Sequence, residues 1–186
     1  SALNAFADPP ELNIALRSSG LQLVAHHSQR QRLGNLRDAR TNAADREWIE
    51  SVYRDYLDDL GLLNTGIFPA LGEIGHREPD QLQRWLVDRS ATLLTILENQ
   101  QPAGFAMVAR ETRATREADF RMAEFFIART ARRRGIGKSA VRLILDRFAG
   151  RWEIVEYSRN PVAVNFWRKV VAAYTRGDYR ERAANG

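Results

Sequence analysis

The passage that most restricts what this chain folds into lies between residues 118 and 148. A largely apolar stretch, Ala118 to Ala128, runs into the charge cluster Arg129 to Arg134, then into Gly135-Ile136-Gly137. The next segment, Lys138 to Phe148, places Val141, Ile144, Leu145 and Phe148 on one face of a helix. Strand, glycine turn and helix in direct succession mark an α/β unit. Glycines let amides approach a ligand closely, and the helix start behind them presents unpaired N–H groups at the positive end of its dipole, which suits phosphates. A tight turn carrying solvated arginines uses the same residue types, so the passage is weighed with the rest of the chain.

Two nucleotide readings of this turn fail. Gly137-Lys138-Ser139 looks like the end of a P-loop, but that motif needs a glycine where this chain has Arg132. Gly135-x-Gly137-x-x-Ala140, with Glu153 or Glu156 as a ribose-binding acid, fits a dinucleotide fingerprint. That fold needs several further strand–helix units, and only Trp152 to Tyr157 and one helix follow.

Upstream, residues 1–31 are weakly patterned and read as an N-terminal extension, with Leu21 to Ala25 as a candidate added strand; residues 32–186 read as one domain. Leu33 to Ala39 predicts a strand, and Thr41-Asn42 a cap for a helix that buries Trp48, Ile49, Val52, Tyr53, Tyr56, Leu57 and Leu60 and ends at Gly61. The glycine-containing segment from Gly61 to Arg77, with Ile67 and Phe68, reads as a mobile or substrate-covering loop, and Pro79-Asp80 starts a short helix. Thr92 to Glu98, a turn over Asn99 to Pro102, and Ala103 to Arg110 predict an antiparallel hairpin, which the polar connector Glu111 to Glu117 joins to the strand at Ala118. Trp152 to Tyr157 predicts another strand. Asn160-Pro161 starts a last helix, to about Val171, that buries Val162, Phe166, Trp167 and Val170, and the tail from Ala172 to Arg182 offers an edge strand.

Composition narrows the chemistry. The 186 residues contain no cysteine, which excludes a disulfide framework, a thiolate nucleophile and cysteine-ligated zinc. With only His26, His27 and His76 there is little for a histidine-rich metal site, and no metal is expected. No apolar run is long enough to span a membrane, and Ser1 to Pro10 lacks the pattern of a signal peptide, so a soluble, cytoplasmic protein is expected. Of the 28 basic residues only Lys138 and Lys169 are lysines, against 23 acids, for a net charge of +5. Such an arginine excess reads either as coding bias on solvated faces or as an anion-binding surface.

Taken together, the chain resembles the GCN5-related N-acetyltransferase (GNAT) superfamily. Its signature, Gln/Arg-x-x-Gly-x-Gly/Ala between the fourth strand and the third helix, matches Arg132, Gly135 and Gly137, and Ile127 sits where relatives end the strand with Val or Ile. A second signature, Asn-x-x-Ala-x-x-Phe-Tyr, is met by Asn160, Ala163 and Phe166, with Trp167 in place of tyrosine. The resemblance covers roughly residues 33–180, and Glu124-Phe125-Phe126 with Gly150-Arg151-Trp152-Glu153 is most similar to small bacterial acetyltransferases of the superfamily. It implies an α/β fold with a mixed, mostly antiparallel central sheet flanked by helices and splayed between the fourth and fifth strands, Ala118 to Ala128 and Trp152 to Tyr157.

It also implies acetyl-CoA as co-substrate, and transfer of its acyl group to a primary amine of a small molecule or peptide by direct attack on the thioester. Main-chain groups of Phe126, Ile127 and Ala128 would bind the pantetheine arm; Arg132, Arg133, Arg134, Gly135, Ile136 and Gly137, with Lys138 and Ser139, would hold the pyrophosphate. Glu124 is the candidate general base, because burial in an apolar stretch raises a carboxyl pKa toward the useful range; a buried glutamate paired with an arginine is the other reading. Trp167 cannot act as the acid that protonates the thiolate, which leaves Tyr174 or Tyr157 as substitutes or as structural aromatics. Asn160 caps its helix, contacts the coenzyme, or does both, and Phe166 is implied as a further coenzyme-binding residue.

Asp58, Asp59, Glu73 and His76 are available to attract a cationic acceptor or are solvated surface. A non-catalytic acyl-CoA-binding sensor is the alternative function, and self-association as a homodimer is left open. Nucleic acid is not expected as a partner, because the charge run Arg129 to Arg134 lacks interleaved aromatics.

Overall fold

The computed structural model describes residues 11–16, 35–61, 78–110, 118–157 and 160–184. The Leu21–Ala25 stretch, the connector Glu111–Glu117 and nearly all of the Gly61–Arg77 loop lie outside them. The expected hairpin is present as β3 (Ala91–Glu98) and β4 (Gln101–Arg110). Its turn is shorter than the sequence predicts: Asn99 and Gln100 take positive φ, 48° and 65°, the mirror-image two-residue turn whose twist suits antiparallel strands. The strand β2 (Asn35–Asp38) pairs with β3, and β5 (Phe120–Ile127) pairs with β4, all antiparallel.

Local capping explains where the helices begin. Before α1 (Ala43–Gly61), the Asp45 N–H donates to Asn42 Oδ1 at 3.2 Å, and the buried Asp45 carboxylate is held by Arg37 of β2. The short α2 (Glu78–Val87) follows. Between β5 and β6 (Trp152–Tyr157) comes α3 (Ile136–Arg147). For α4 (Pro161–Thr175), Asn160 Oδ1 accepts the Ala163 N–H at 3.1 Å, with proline in the first turn. This helix runs one turn further than expected and buries Val164, Trp167, Val170 and Val171. Val162 was expected inside, but it is 79% exposed, because the buried positions recur at three and four and Val162 falls on the opposite side of the helix. The tail returns as β7 (Tyr179–Ala184).

Among the described residues seven strands form one sheet in the order β2-β3-β4-β5-β6-β1-β7, in which β1 (Glu11–Leu16) pairs antiparallel with both β6 and β7. Only β5 and β6 run parallel, and their pairing covers Phe120–Trp152, Arg121–Glu153 and Met122–Ile154 before it stops. Beyond Met122 the two strands diverge. This is the mixed, mostly antiparallel, helix-flanked sheet that the resemblance implies, open between the same two strands.

Each sheet face carries its own core. On one side α3 and α4 bury Ile136, Ala140, Val141, Ile144, Leu145, Trp167 and Val170 against Leu94, Ala106, Val108, Met122 and Ile154. On the other, α1 and α2 bury Ile49, Tyr53, Tyr56, Leu82 and Trp85 against Leu93, Phe105 and Phe126. No helix among the described residues is long and apolar enough to cross a membrane.

Candidate functional site

Glu124 is aimed by a break in the sheet. Val108 pairs with Met122, but its neighbour Met107 pairs with Glu124, so Ala123 is an extra residue on β5, a β-bulge. Strict alternation would send Glu124 to the face shared by Phe120 and Met122. With Ala123 inserted, Phe125 and Ile127 pack on that face, while Phe126 joins the α1 face and Glu124 meets α1. There the Tyr56 hydroxyl donates to Glu124 Oε2. Tyr56 is itself fixed by edge-on contacts with Phe105 and Phe126, at 5.4 and 5.6 Å between ring centroids.

Burial pushes the Glu124 carboxyl up to about 8, helped by the negative charge of Glu156 on β6. The residue as a whole keeps some exposed surface, but its carboxyl is buried beside Tyr56, so desolvation of that group governs. An arginine partner would have moved it the other way. The partner found for the carboxyl is the Tyr56 hydroxyl.

The ladder also shows which amides line the opening. The Ala128 N–H donates to Ala103 O at 2.9 Å, which makes Phe126 and Phe105 the next hydrogen-bonded pair. Phe126 and Ala128 therefore point their amides at β4. The amides of Ile127 and Phe125 face the opposite edge, where β6 has diverged.

The glycine turn stands at the end of the same strand. Gly135, at φ 81°, caps α3 with no side chain, and Arg133 shares the left-handed region at φ 60°. The first helical bond is Ser139 N–H to Gly135 O at 3.1 Å, so the amides of Ile136, Gly137 and Lys138 have no partner inside the helix. A Cβ on Gly137 would approach the Phe166 ring at 3.2 Å, so glycine lets the helix start lie against it. Phe166 stacks on Phe125 with centroids 5.9 Å apart. Ile136 is buried in the core, whereas Arg133 and Lys138 are exposed and Ser139 is half-buried.

Several side chains are engaged elsewhere. Arg132 donates through Nε to Ile127 O at 2.8 Å and through its NH2 group to Asp59 Oδ2, with its guanidinium 5.5 Å from the Phe126 ring centre. Arg134 donates to Glu98 Oε2 at 2.7 Å. Asn160, besides capping α4, donates from Nδ2 to Glu156 Oε1 at 3.2 Å, so both ends of its amide have protein partners.

Tyr174 is not brought to Glu124. Its hydroxyl donates to Asp146 Oδ1 at 2.9 Å, near the end of α3 and about 15 Å along the helix from the glycine turn, and burial with that bond pushes it up to about 12. The side chain of Tyr157, and Glu73 and His76, lie outside the described residues. Among the described residues no group of three or more His, Cys, Asp or Glu is placed to hold a metal ion.

Sequence reasoning missed Tyr56 and Glu156 as neighbours of Glu124. Tyr56 was visible only as one apolar-face position of α1, although a hydroxyl there needs a partner once buried.

A search of curated proteins gives no match. Among solved structures, an integron cassette protein from the mobile metagenome of V. cholerae is 22% identical with a TM-score of 0.38; the match covers 50% of this chain and spans 64% of that protein. The sequence pattern of the Acetyltransferase (GNAT) family matches residues 49–171, from α1 through the bulged strand and the glycine turn into α4. That match takes in most of the chain together with Glu124, Arg132, Gly135, Gly137 and Asn160, and the chain belongs to the GNAT acetyltransferase family.

Proposed function

We propose that this protein transfers the acyl group of acetyl-CoA to a primary amine of a small molecule or peptide, by direct attack on the thioester with Glu124 as general base. The observation that carries the reading is the placement of Glu124: a bulge turns its carboxyl to the α1 face, where Tyr56 donates to it, and burial with the charge of Glu156 on β6 pushes it up to about 8. The residues present suit the coenzyme. The free amides of Ile136, Gly137 and Lys138 fit the diphosphate, and the β5 edge at Phe125 and Ile127 fits an extended amide-containing arm.

The acceptor arrives as an ammonium ion. Its positive charge beside Glu124 and Glu156 favours the ionised carboxylate, which takes the proton, directly or through water, and frees the nitrogen lone pair. Attack forms the C–N bond and breaks the C–S bond; the amide nitrogen sheds its second proton, and the thiolate gains one. Amide N–H groups on β5 polarise the carbonyl. Tyr56 steers the carboxyl by donating to Oε2. With Trp167 in the usual tyrosine position and Tyr174 held by Asp146, water or protonated Glu124 supplies the thiolate's proton.

Those two departures favour a second reading, an acyl-CoA-binding sensor without turnover. Thiol release with acetyl-CoA across polyamines, aminoglycosides, amino acids and peptides separates them. Steady release with at least one amine, lost in Glu124→Gln, supports the enzyme. Tight acetyl-CoA binding with no release across the panel supports the sensor.

A further inference from the structure

Asp59, in the last turn of α1, carries a contact that neither the signature nor the catalytic reading uses. Its Oδ1 accepts from Arg129 through Nε at 3.0 Å and the NH2 group at 2.7 Å, and its Oδ2 accepts from Arg132. Two guanidinium groups from the loop between β5 and α3 thus converge on one carboxylate. Although partial burial works against ionisation, the hydrogen bonds from Arg132 and Arg129 outweigh it and hold Asp59 below the usual carboxylate range. Arg129 also lies 3.9 Å from Asp55 and within electrostatic reach of Asp58.

Two arginines gripping one anion is what an anion site looks like when it is filled. The pair sits at the same end of β5 as the unpartnered amides of α3, and the arginine side chains are 49% and 41% exposed, so solvent and ligand reach them. Exposed ion pairs of this kind are weak. A diphosphate carries more charge than a carboxylate and accepts more hydrogen bonds, so exchange runs toward it. The Nε bond from Arg132 to Ile127 O and its contact with the Phe126 ring keep that side chain in place while its NH2 group changes partner.

We propose that Asp59 is an internal counter-anion that occupies Arg129 and Arg132 in the empty enzyme and is displaced when the diphosphate of acyl-CoA takes those guanidinium groups. Asp59 is thus a positioning residue that lowers coenzyme affinity and ties α1 to the coenzyme loop until the coenzyme arrives. The inference rests on the acyl-CoA reading of the glycine turn, and binding alone tests it without an acceptor.

Calorimetric titration of coenzyme A into the full chain, at low and at raised salt, compares the wild type with Asp59→Asn and Asp58→Asn. Asp58→Asn makes the same change of charge on the neighbouring, exposed residue. Asp59→Asn should bind about three- to tenfold tighter, while Asp58→Asn stays within about twofold of the wild type. Its affinity should also fall more steeply with salt, because new ion pairs form where the wild type only exchanges one. Equal tightening in both variants assigns the effect to net charge and overturns the inference. Unchanged or weaker binding in Asp59→Asn overturns it as well, the weaker case meaning that the pair supports the loop. If the wild type itself does not bind coenzyme A, the acyl-CoA reading falls, a result distinct from either of these.

Discussion

The two faces of the sheet record function in different ways. On the α3/α4 face the proposed coenzyme site is a property of backbone and of consecutive residues: Gly135 and Gly137, a helix start, Asn160-Pro161. On the α1/α2 face the surroundings of the proposed base exist only where distant side chains meet, Tyr56 of α1 with Glu124 of β5, enclosed by Phe105 and Phe126. A motif can announce the first kind of site. The second waits on the packing.

If that contrast is right, damage on the two faces should separate. The largest effect is expected from Glu124→Gln, which should lower the acyl-transfer rate about 10²- to 10⁴-fold while coenzyme A affinity changes little. An unaltered rate would remove Glu124 as base. The same variant has a stability signature. Because the folded pKa lies above the unfolded one, folding favours the protonated acid, and wild-type stability falls as pH rises from about 4.5 to about 8. Glu124→Gln escapes that loss, so its melting advantage should widen across this window, at a rate of at most ~1.4 kcal/mol per pH unit. A constant difference would mean that Glu124 is not held protonated.

Gly137→Val should show the reverse pattern. Its side chain meets the Phe166 ring, so coenzyme A affinity should drop about tenfold or more while the Glu124 pH dependence is kept. A loss of the pH dependence would show that the faces are not separable. Tyr56→Phe is a gentler probe of the aromatic side. Removing the donor to Oε2 disfavours the carboxylate, so the rising limb of the pH–rate profile should move up by about 0.5 to 1 unit, with a loss of a few-fold at neutral pH; a downward move would reverse the assigned role. Smallest of all should be Tyr174→Phe, below about twofold in rate, since that hydroxyl serves Asp146. A loss of tenfold or more would restore it as an acid.

Much of the scaffold was legible because short-range chemistry dictates it. The β3–β4 hairpin, though not the length of its turn, the Asn42 and Asn160 caps and the glycine-led α3 each follow from neighbouring residues. Side-chain direction was less so. Alternation read along β5 puts Glu124 on the wrong face, because nothing in Met122-Ala123-Glu124 advertises a bulge; the cause is the register with β4. Arg132 illustrates a different gap. Its place in the signature is plain, but its guanidinium reaches Asp59, some seventy residues earlier in the chain, a pairing set by how α1 lies on the sheet. Val162 shows a simpler limit: apolar character near a cap does not say which side of the helix it occupies.

The position of β1 bears on how the molecule is assembled in time. That strand lies between β6 and β7, so the earliest described strand takes both of its neighbours from the last third of the chain. During synthesis β1 has no partner until β6 has emerged, and β7 has no edge to join until β1 is in place. Local hairpins such as β3–β4 can form early, whereas this side of the sheet closes late and through contacts of very long range, the kind that slows folding. The earliest of the described strands is thereby among the last to be locked.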